Sequence, residues 1–445
     1  MTVEALKGLN EHPLRRELSS EIHARPFIAL QPPERVSHLT FLTGEVGREE
    51  ELSHLSQLCS RFKVAPPPDN ARFFYADLGP FRLRWERHTE HTTYTFFVHE
   101  HAPTAAEGGI DRFQSPVIER VPEDWLSKIT GELLVAQHFE FEPSDAPEPS
   151  AEELVRMMGG ENFAASLVSG GTARVWTNFA IAPDGFGHTL VQDRAMRPRQ
   201  AGRLIQRLCE IENYRMLALL GFPLARQWGG ELTHYGAKLA ALMTQPLADT
   251  EAASVDDDRA LLNELSRLAG EAEHIAALTS YRFSATRAYG ALVQRRIGEL
   301  REERIEGYQT FQEFFERRHA PAMRTCEAVA ARLEDLTRRL TQAGQLLRTR
   351  VEVKLEAQNQ SLLESMDRRA KLQLRLQQTV EGLSVAAITY YSVSLVNYLA
   401  DAVNSGGLSI PVDVITGLSI PVLAFLIWMG VRRVHKTLAK DDGQA

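Results

Sequence analysis

Residues 368–403 read RRAKLQLRLQQTVEGLSVAAITYYSVSLVNYLADAV. Whether one helix runs through this stretch decides the architecture. Its first half is charged at most turns, whereas from Leu383 to Ala400 no charged residue occurs. Gly382 is the one poor helix former at the junction and costs only about 1 kcal/mol in a helix interior. A helix arriving from upstream is therefore predicted to continue into 383–403, which is long enough to cross a bilayer. After a turn at 404–411, NSGGLSIP, a second apolar segment follows at 412–431, VDVITGLSIPVLAFLIWMGV. Arg368, Arg369, Lys371 and Arg375 precede the first span, and Arg432, Arg433, His435 and Lys436 follow the second. The loop between them has no Lys or Arg, so the positive-inside tendency places both ends in the cytoplasm, 404–411 outside, and 432–445 as a basic cytoplasmic tail. Asp401 and Asp413 dilute the two segments, which leaves a buried helical hairpin of a soluble domain as the alternative.

Upstream of the spans, residues 198–382 carry helical signals. The segment PRQAGRLIQRLCEIENYRMLALLG, 198–221, opens with proline and closes with glycine, as helices do. Ser254 and the aspartates of SVDDDRALLNEL suit a helix N-terminus, from which a long helix is predicted toward His319, loosened at Gly298 and Gly307. Pro321 is predicted to break it. A second long helix carries Leu333, Leu336, Leu340, Leu347, Val351, Leu355, Leu362 and Met366 at coiled-coil-like steps. Together these predict antiparallel stalk helices, the second about 80 residues long and thus roughly 120 Å. Its apolar stripe requires a partner, either the preceding helix or neighbouring chains.

Residues 1–197 have a different period. VSHLTFLTG, ARFFYADLG, FRLRWERHT, TTYTFFVHE, ELLVAQHFEFEP and ARVWTNFAIAP alternate as strands do, with short helical patterns at 46–62 and 151–158. The joints are rich in Pro and Gly, so this part is predicted to be a cytoplasmic α+β domain with a largely antiparallel sheet.

The chain's 445 residues exceed the usual limit for one hydrophobic core. With 50 basic against 58 acidic residues and no basic face interleaved with aromatics, nucleic acid is excluded as a partner. Cys59, Cys209 and Cys326 are far apart and fit free thiols in a reducing compartment. The first 18 residues contain no apolar export signal. No nucleophile, paired-carboxylate or nucleotide motif emerges, and SGG at 169–171 and DGFG at 184–187 read as turns.

Three groups of residues invite a functional reading. Tyr390, Ser394, Asn397, Asp401 and Asn404 recur at four- and three-residue steps and so line one face of the first span. A carboxylate in lipid costs about 2.5 to 3.5 kcal/mol at mid-membrane, so this stripe should face water or polar partners. It could line a pore, or hydrogen-bond one span to its neighbour. Glu21, His23, Arg25 and Pro26 fall within SSEIHARPF and read as a helix end that ties down the N-terminus, with an acid–base role as the sharper alternative. In ERHTEHTTYTFFVHEH, His99 and His101 would share a strand face, and His88 and His91 flank the hairpin turn. They are candidate metal ligands, although no cysteine or short carboxylate spacing accompanies them.

Two resemblances rest on these stretches. HPLRRELSSEIHARPF (12–27) and AITYYSVSLVNYLADAV (387–403) resemble a family of bacterial membrane-anchored proteins known as domain of unknown function 3422. That resemblance implies the bacterial cytoplasmic (inner) membrane as the location, with the bilayer as a partner. The plan of cytoplasmic domain, long helix, two spans and basic tail is similar to the CorA-type divalent-cation transporters. This likeness implies a homo-oligomer, a pentamer in that family, a divalent cation as substrate or regulator, and the stripe as pore lining. CorA-type proteins carry a Gly-Met-Asn filter after the first span, whereas here NYLADAVNSGG stands at 397–407, so no filter residue carries over. Two functions follow as expectations: a CorA-like cation channel or transporter without that filter, or a membrane-tethered ligand-binding sensor or scaffold without transport.

Overall fold

The computed structural model describes residues 10–16, 18–19, 27–44, 47–101, 112–160, 162–244, 254–405 and 411–441. Its strands are β1 (Glu34–Leu42), β2 (Phe73–Asp77), β3 (Arg82–Arg87), β4 (His91–Val98), β5 (Glu132–Glu142), β6 (Ala164–Val168), β7 (Ala173–Thr177), β8 (Gly187–Asp193) and β9 (Glu303–Arg304). The helices are α1 (Arg48–Arg61), α2 (Glu123–Leu126), α3 (Ala151–Met158), α4 (Pro198–Leu219), α5 (Gly221–Thr244), α6 (Val255–Leu300), α7 (Phe311–Ser405) and α8 (Val412–Asp441). The protein is thus mixed α+β, with a sheet, a long helical region and two apolar C-terminal helices. By contact density it forms two compact units, one of Met1–Thr250 with Asn263–Gly344 and the other of Glu251–Leu262 with Gln345–Ala445.

In the first unit the strands form a single sheet ordered β2-β3-β4-β1-β5-β8-β7-β6-β9. Every pairing is antiparallel except β5 with β8. Beyond the strands expected from alternation, β6, β8 and β9 complete the sheet. Central β1 is buried along almost its whole length, because both faces of the sheet are covered. On one face Val36, Phe97, Phe139 and Val191 pack against Leu204, Ile205 and Leu208 of α4, joined by Ile297 of α6 and Phe311 of α7. On the other, Leu39, Trp85, Tyr94 and Phe96 pack against Leu55 and Leu58 of α1 and against Trp125. Each such side chain contributes about 1.5 to 3 kcal/mol on burial, so the two layers hold the sheet between them.

The helical region departs from expectation at two points. α4 ends at Leu219, just before the expected Gly221, but that glycine opens α5 at once. A Cβ there would lie 2.3 Å from Thr286 Oγ1, so the residue is set by close packing against α6. The second departure is at Pro321, which lies inside α7. The long helical pattern breaks earlier, between α6 and α7, where Arg301 and Gly307 have φ of 49° and 87° and β9 pairs with β6. Glu302 makes this the stable start: its carboxylate accepts from Phe311 N (2.8 Å), Gln312 N (2.7 Å) and Ser166 Oγ (2.7 Å). Thr310 and Glu313 close a reciprocal cap beside it. With the N-terminus satisfied in this way, the one backbone bond lost at Pro321 does not end the helix.

In the second unit the opening turns of α6 lie along α7. Asp258 accepts from Lys354 Nζ at 2.5 Å and pairs with Arg350 at 3.3 Å, and Leu347 and Val351 are buried. Further on, Leu362, Met366, Leu376 and Leu383 are 60 to 75% exposed. The C-terminal part of α7 and residues Val412–Arg433 of α8 are long and apolar enough to cross a membrane.

Candidate functional site

The alternation of β1 places Val36, His38 and Thr40 on the face that meets α4. Register aligns His38 with Thr95 and Thr40 with Thr93, and on the next strand Arg84 lies opposite Thr95 and Glu86 opposite Thr93. This polar patch faces Gln206, Cys209, Glu210 and Asn213 of α4 rather than water, and the two surfaces enclose a cavity of about 230 Å³. Phe27–Leu30 closes one side: Leu30 N donates to Pro198 O at 3.0 Å, and the chain crosses α4 at Gly202, where a Cβ would lie 1.6 Å from Ile28 O.

Within the cavity, Asn213 Oδ1 accepts from Thr40 Oγ1 at 2.6 Å and from His38 Nε2 at 3.0 Å. That assigns the Nε2–H tautomer, so His38 Nδ1 accepts from Thr95 Oγ1 at 2.8 Å. Burial, aided by the nearby charges of Arg84 and His91, lowers His38 to about 4 and keeps the imidazole neutral. Buried Arg84 donates to Glu86 (2.8 Å) and Gln206 (3.3 Å). Arg296 pairs with Glu210 and Glu299. Arg84 Nε and Thr93 Oγ1 have no hydrogen-bond partner among the described residues, although both are buried. Burial pushes the Cys209 thiol up, which makes it a poor nucleophile. A wider cleft of about 890 Å³, lined by Arg48, Glu50, Arg72, Arg87 and Tyr289 among others, shares His88, His91 and Tyr214 with the cavity. The arrangement can bind a small polar molecule through one guanidinium N–H and one hydroxyl.

The residues singled out from sequence lie elsewhere. Glu21, His23, Arg25 and Pro26 fall outside the described residues, although Phe27, next in the chain, stacks under Arg203 at 5.0 Å. β4 ends at Val98, so His99 and His101 lie beyond the strand rather than on one of its faces; His99 is 3.7 Å from Glu34. His88 and His91 do flank the β3–β4 turn, with stacked rings 4.2 Å apart. Among the described residues no group of three or more His, Cys, Asp or Glu could hold a metal. In the polar stripe of the first span, Asn397 Oδ1 accepts from Thr416 Oγ1 of α8 at 2.9 Å. Ser394 is half-buried and donates to Tyr390 O, while Tyr390, Asp401 and Asn404 are exposed. Sequence reading missed His38, Arg84, Thr93, Asn213 and Arg296; the available signal was the i, i+2 recurrence of polar residues along β1, β3 and β4.

Residues 10–438 match the family described as protein of unknown function (DUF3422). The chain belongs to that family. No curated protein and no solved structure matches it. The DUF3422 match spans both compact units, so the polar cavity and the two apolar helices fall within one family unit.

Proposed function

We propose that this DUF3422 protein is a membrane-tethered ligand-binding sensor or scaffold whose α+β domain takes up a small polar molecule between the sheet and α4. One observation carries this reading: a buried polar cavity in which Arg84 Nε and Thr93 Oγ1 lack partners among the described residues. Leaving a buried donor unsatisfied costs about 1 to 3 kcal/mol, which an oxygen-bearing ligand would recover. The C-terminal helices act as the tether in the bacterial inner membrane, with both termini cytoplasmic. The tethered form is a homo-oligomer: Leu362, Met366 and Leu376 stand exposed on α7, an apolar stripe that helices of neighbouring chains would cover.

The test is a thermal-shift screen of the purified full chain against inorganic phosphate, small carboxylates and amino acids. A ligand that raises the midpoint in wild type and fails with Arg84→Gln and Thr93→Val supports the reading; no stabilisation by any class overturns it.

A second reading, a CorA-like cation channel, is favoured by the exposure of Tyr390 and Asp401 on α7. It predicts cation flux in proteoliposomes that Asp401→Asn reduces, because a solvated carboxylate adds local field rather than packing energy. Absence of flux for magnesium, cobalt, zinc, nickel and sodium would remove it.

A further inference from the structure

A second cavity, which shares no lining residue with the first, lies between α6 and α7 within the first unit. Helix α6 brings Phe283, Thr286 and Gly290 to it at three- and four-residue steps, and α7 brings His319, Met323, Cys326 and Ala330 at four-, three- and four-residue steps. Its volume is about 360 Å³, within the range of small-molecule pockets. Gly290 keeps it open on one side, since a Cβ there would press to 3.3 Å of Met323 Sδ.

The buried part of the lining, Phe283, Thr286, His319, Cys326 and Ala330, is apolar apart from two groups and a thiol, while Gln294 and Gln312 join the charged side chains at the rim. Thr286 Oγ1 is already committed, donating to Ala218 O at 3.0 Å. The other is His319, 5% exposed, whose Nδ1 and Nε2 both lack a hydrogen-bond partner among the described residues. Its ring instead lies 5.5 Å from that of Phe315. Burial, reinforced by the charge of Arg215, lowers His319 to about 4, so it is a neutral imidazole offering one donor and one acceptor. A phenylalanine would fill the same place without stranding two polar atoms. The charged side chains that line the cavity, Arg287, Arg324, Glu316 and Glu327, are of both signs and exposed, so nothing buried in it selects an ion. Burial also pushes the Cys326 thiol up to about 11, which leaves it a neutral, soft part of the wall.

We infer that this cavity binds a small, uncharged, largely apolar molecule whose hydroxyl or carbonyl oxygen hydrogen-bonds His319. The site stands independently of the polar cavity and of the tether.

Cys326 reports on occupancy. In the detergent-purified full chain, its modification by methyl methanethiosulfonate is followed by peptide mass spectrometry with increasing 2-naphthol, an uncharged bicyclic probe with one hydroxyl. Cys59 and Cys209, buried elsewhere, serve as internal controls for partition of the probe into detergent. The expected result is a saturable slowing of at least tenfold at Cys326 alone. His319→Phe should need at least fivefold more probe for the same protection while melting no lower than wild type. Ala330→Leu, which narrows the cavity without touching the imidazole, should weaken protection as well. Protection that is absent, equal at all three cysteines, or unchanged in His319→Phe overturns the inference, as does a lower melting temperature for that variant without probe.

Discussion

Glu140→Gln tests the electrostatics of the sheet most directly. Glu140 is 4% exposed on β5, and its carboxylate accepts from Phe113 N at 3.2 Å. Burial pushes this carboxyl up to about 8 from an ordinary 4.5; Glu142 adds to the rise, while Arg35, the Phe113 N–H and Arg112 oppose it. The sign follows from the two states. The unfolded chain releases this proton near pH 4.5 and the folded one near pH 8, so the contribution is fully present below pH 4.5 and is lost as pH rises to 8. At about 1.4 kcal/mol per pH unit, the interval is worth about 5 kcal/mol. That is a ceiling, because Arg35 Nε, buried without a partner among the described residues, can turn toward the ionised group. Glutamine keeps an acceptor for Phe113 N and cannot ionise. Urea unfolding of wild type and Glu140→Gln, followed by tryptophan fluorescence from pH 5 to 9, should show similar stability at the acid end. The variant should gain by several kcal/mol relative to wild type at the alkaline end. Parallel profiles would refute the placement of a protonated carboxyl at this position.

Three further outcomes are expected. Gly202→Ala puts a methyl group on Ile28 O and should cost about 1 to 3 kcal/mol by overpacking, read as a lower thermal midpoint and a weaker response to any ligand of the polar cavity. Thr416→Val removes the hydrogen bond to Asn397 and should lower stability of the detergent-solubilised protein by about 0.6 to 1.7 kcal/mol; no change would mean that the two apolar helices do not rely on it. A cysteine replacing Ser405 should react with an impermeant thiol reagent from outside intact cells, and labelling only after lysis would reverse the orientation drawn from the flanking charges.

The features legible in the sequence were those whose signal is long and local. The run from Pro321 through Gly382 into 383–403 lacks an effective breaker, and α7 indeed continues to Ser405. The six alternating segments became strands because each carries its apolar face at a period of two. What stayed hidden depended on partners distant in sequence. Nothing local to Glu302 announces that Ser166 will share its carboxylate with the start of α7, so the helix break was assigned to Pro321 instead. Gly221 does follow the end of α4, but the start of α5 at that residue and its close packing on Thr286, remote in the chain, had no local signal.

The polar cavity shows the same limit from the functional side. In VSHLT the alternation correctly sets His38 and Thr40 apart from Leu39. By itself, however, a polar strand face reads as one turned to water. Whether it faces water or a helix depends on what covers the sheet, and here α4 covers it with Gln206, Glu210 and Asn213. Once covered, the same residues change meaning: on a solvated face Arg84 Nε and Thr93 Oγ1 would be satisfied by water at no cost, whereas beneath α4 each is a buried group without a partner among the described residues. Three adjacent strands repeat this choice at aligned positions, His38 and Thr40 on β1, Thr93 and Thr95 on β4, Arg84 and Glu86 on β3. A core needing only packing would place Val or Ile there, as it does at Val36 on the same face. The polar cluster therefore spends stability that the fold itself does not require, a cost that the ligand proposed for this cavity would recover.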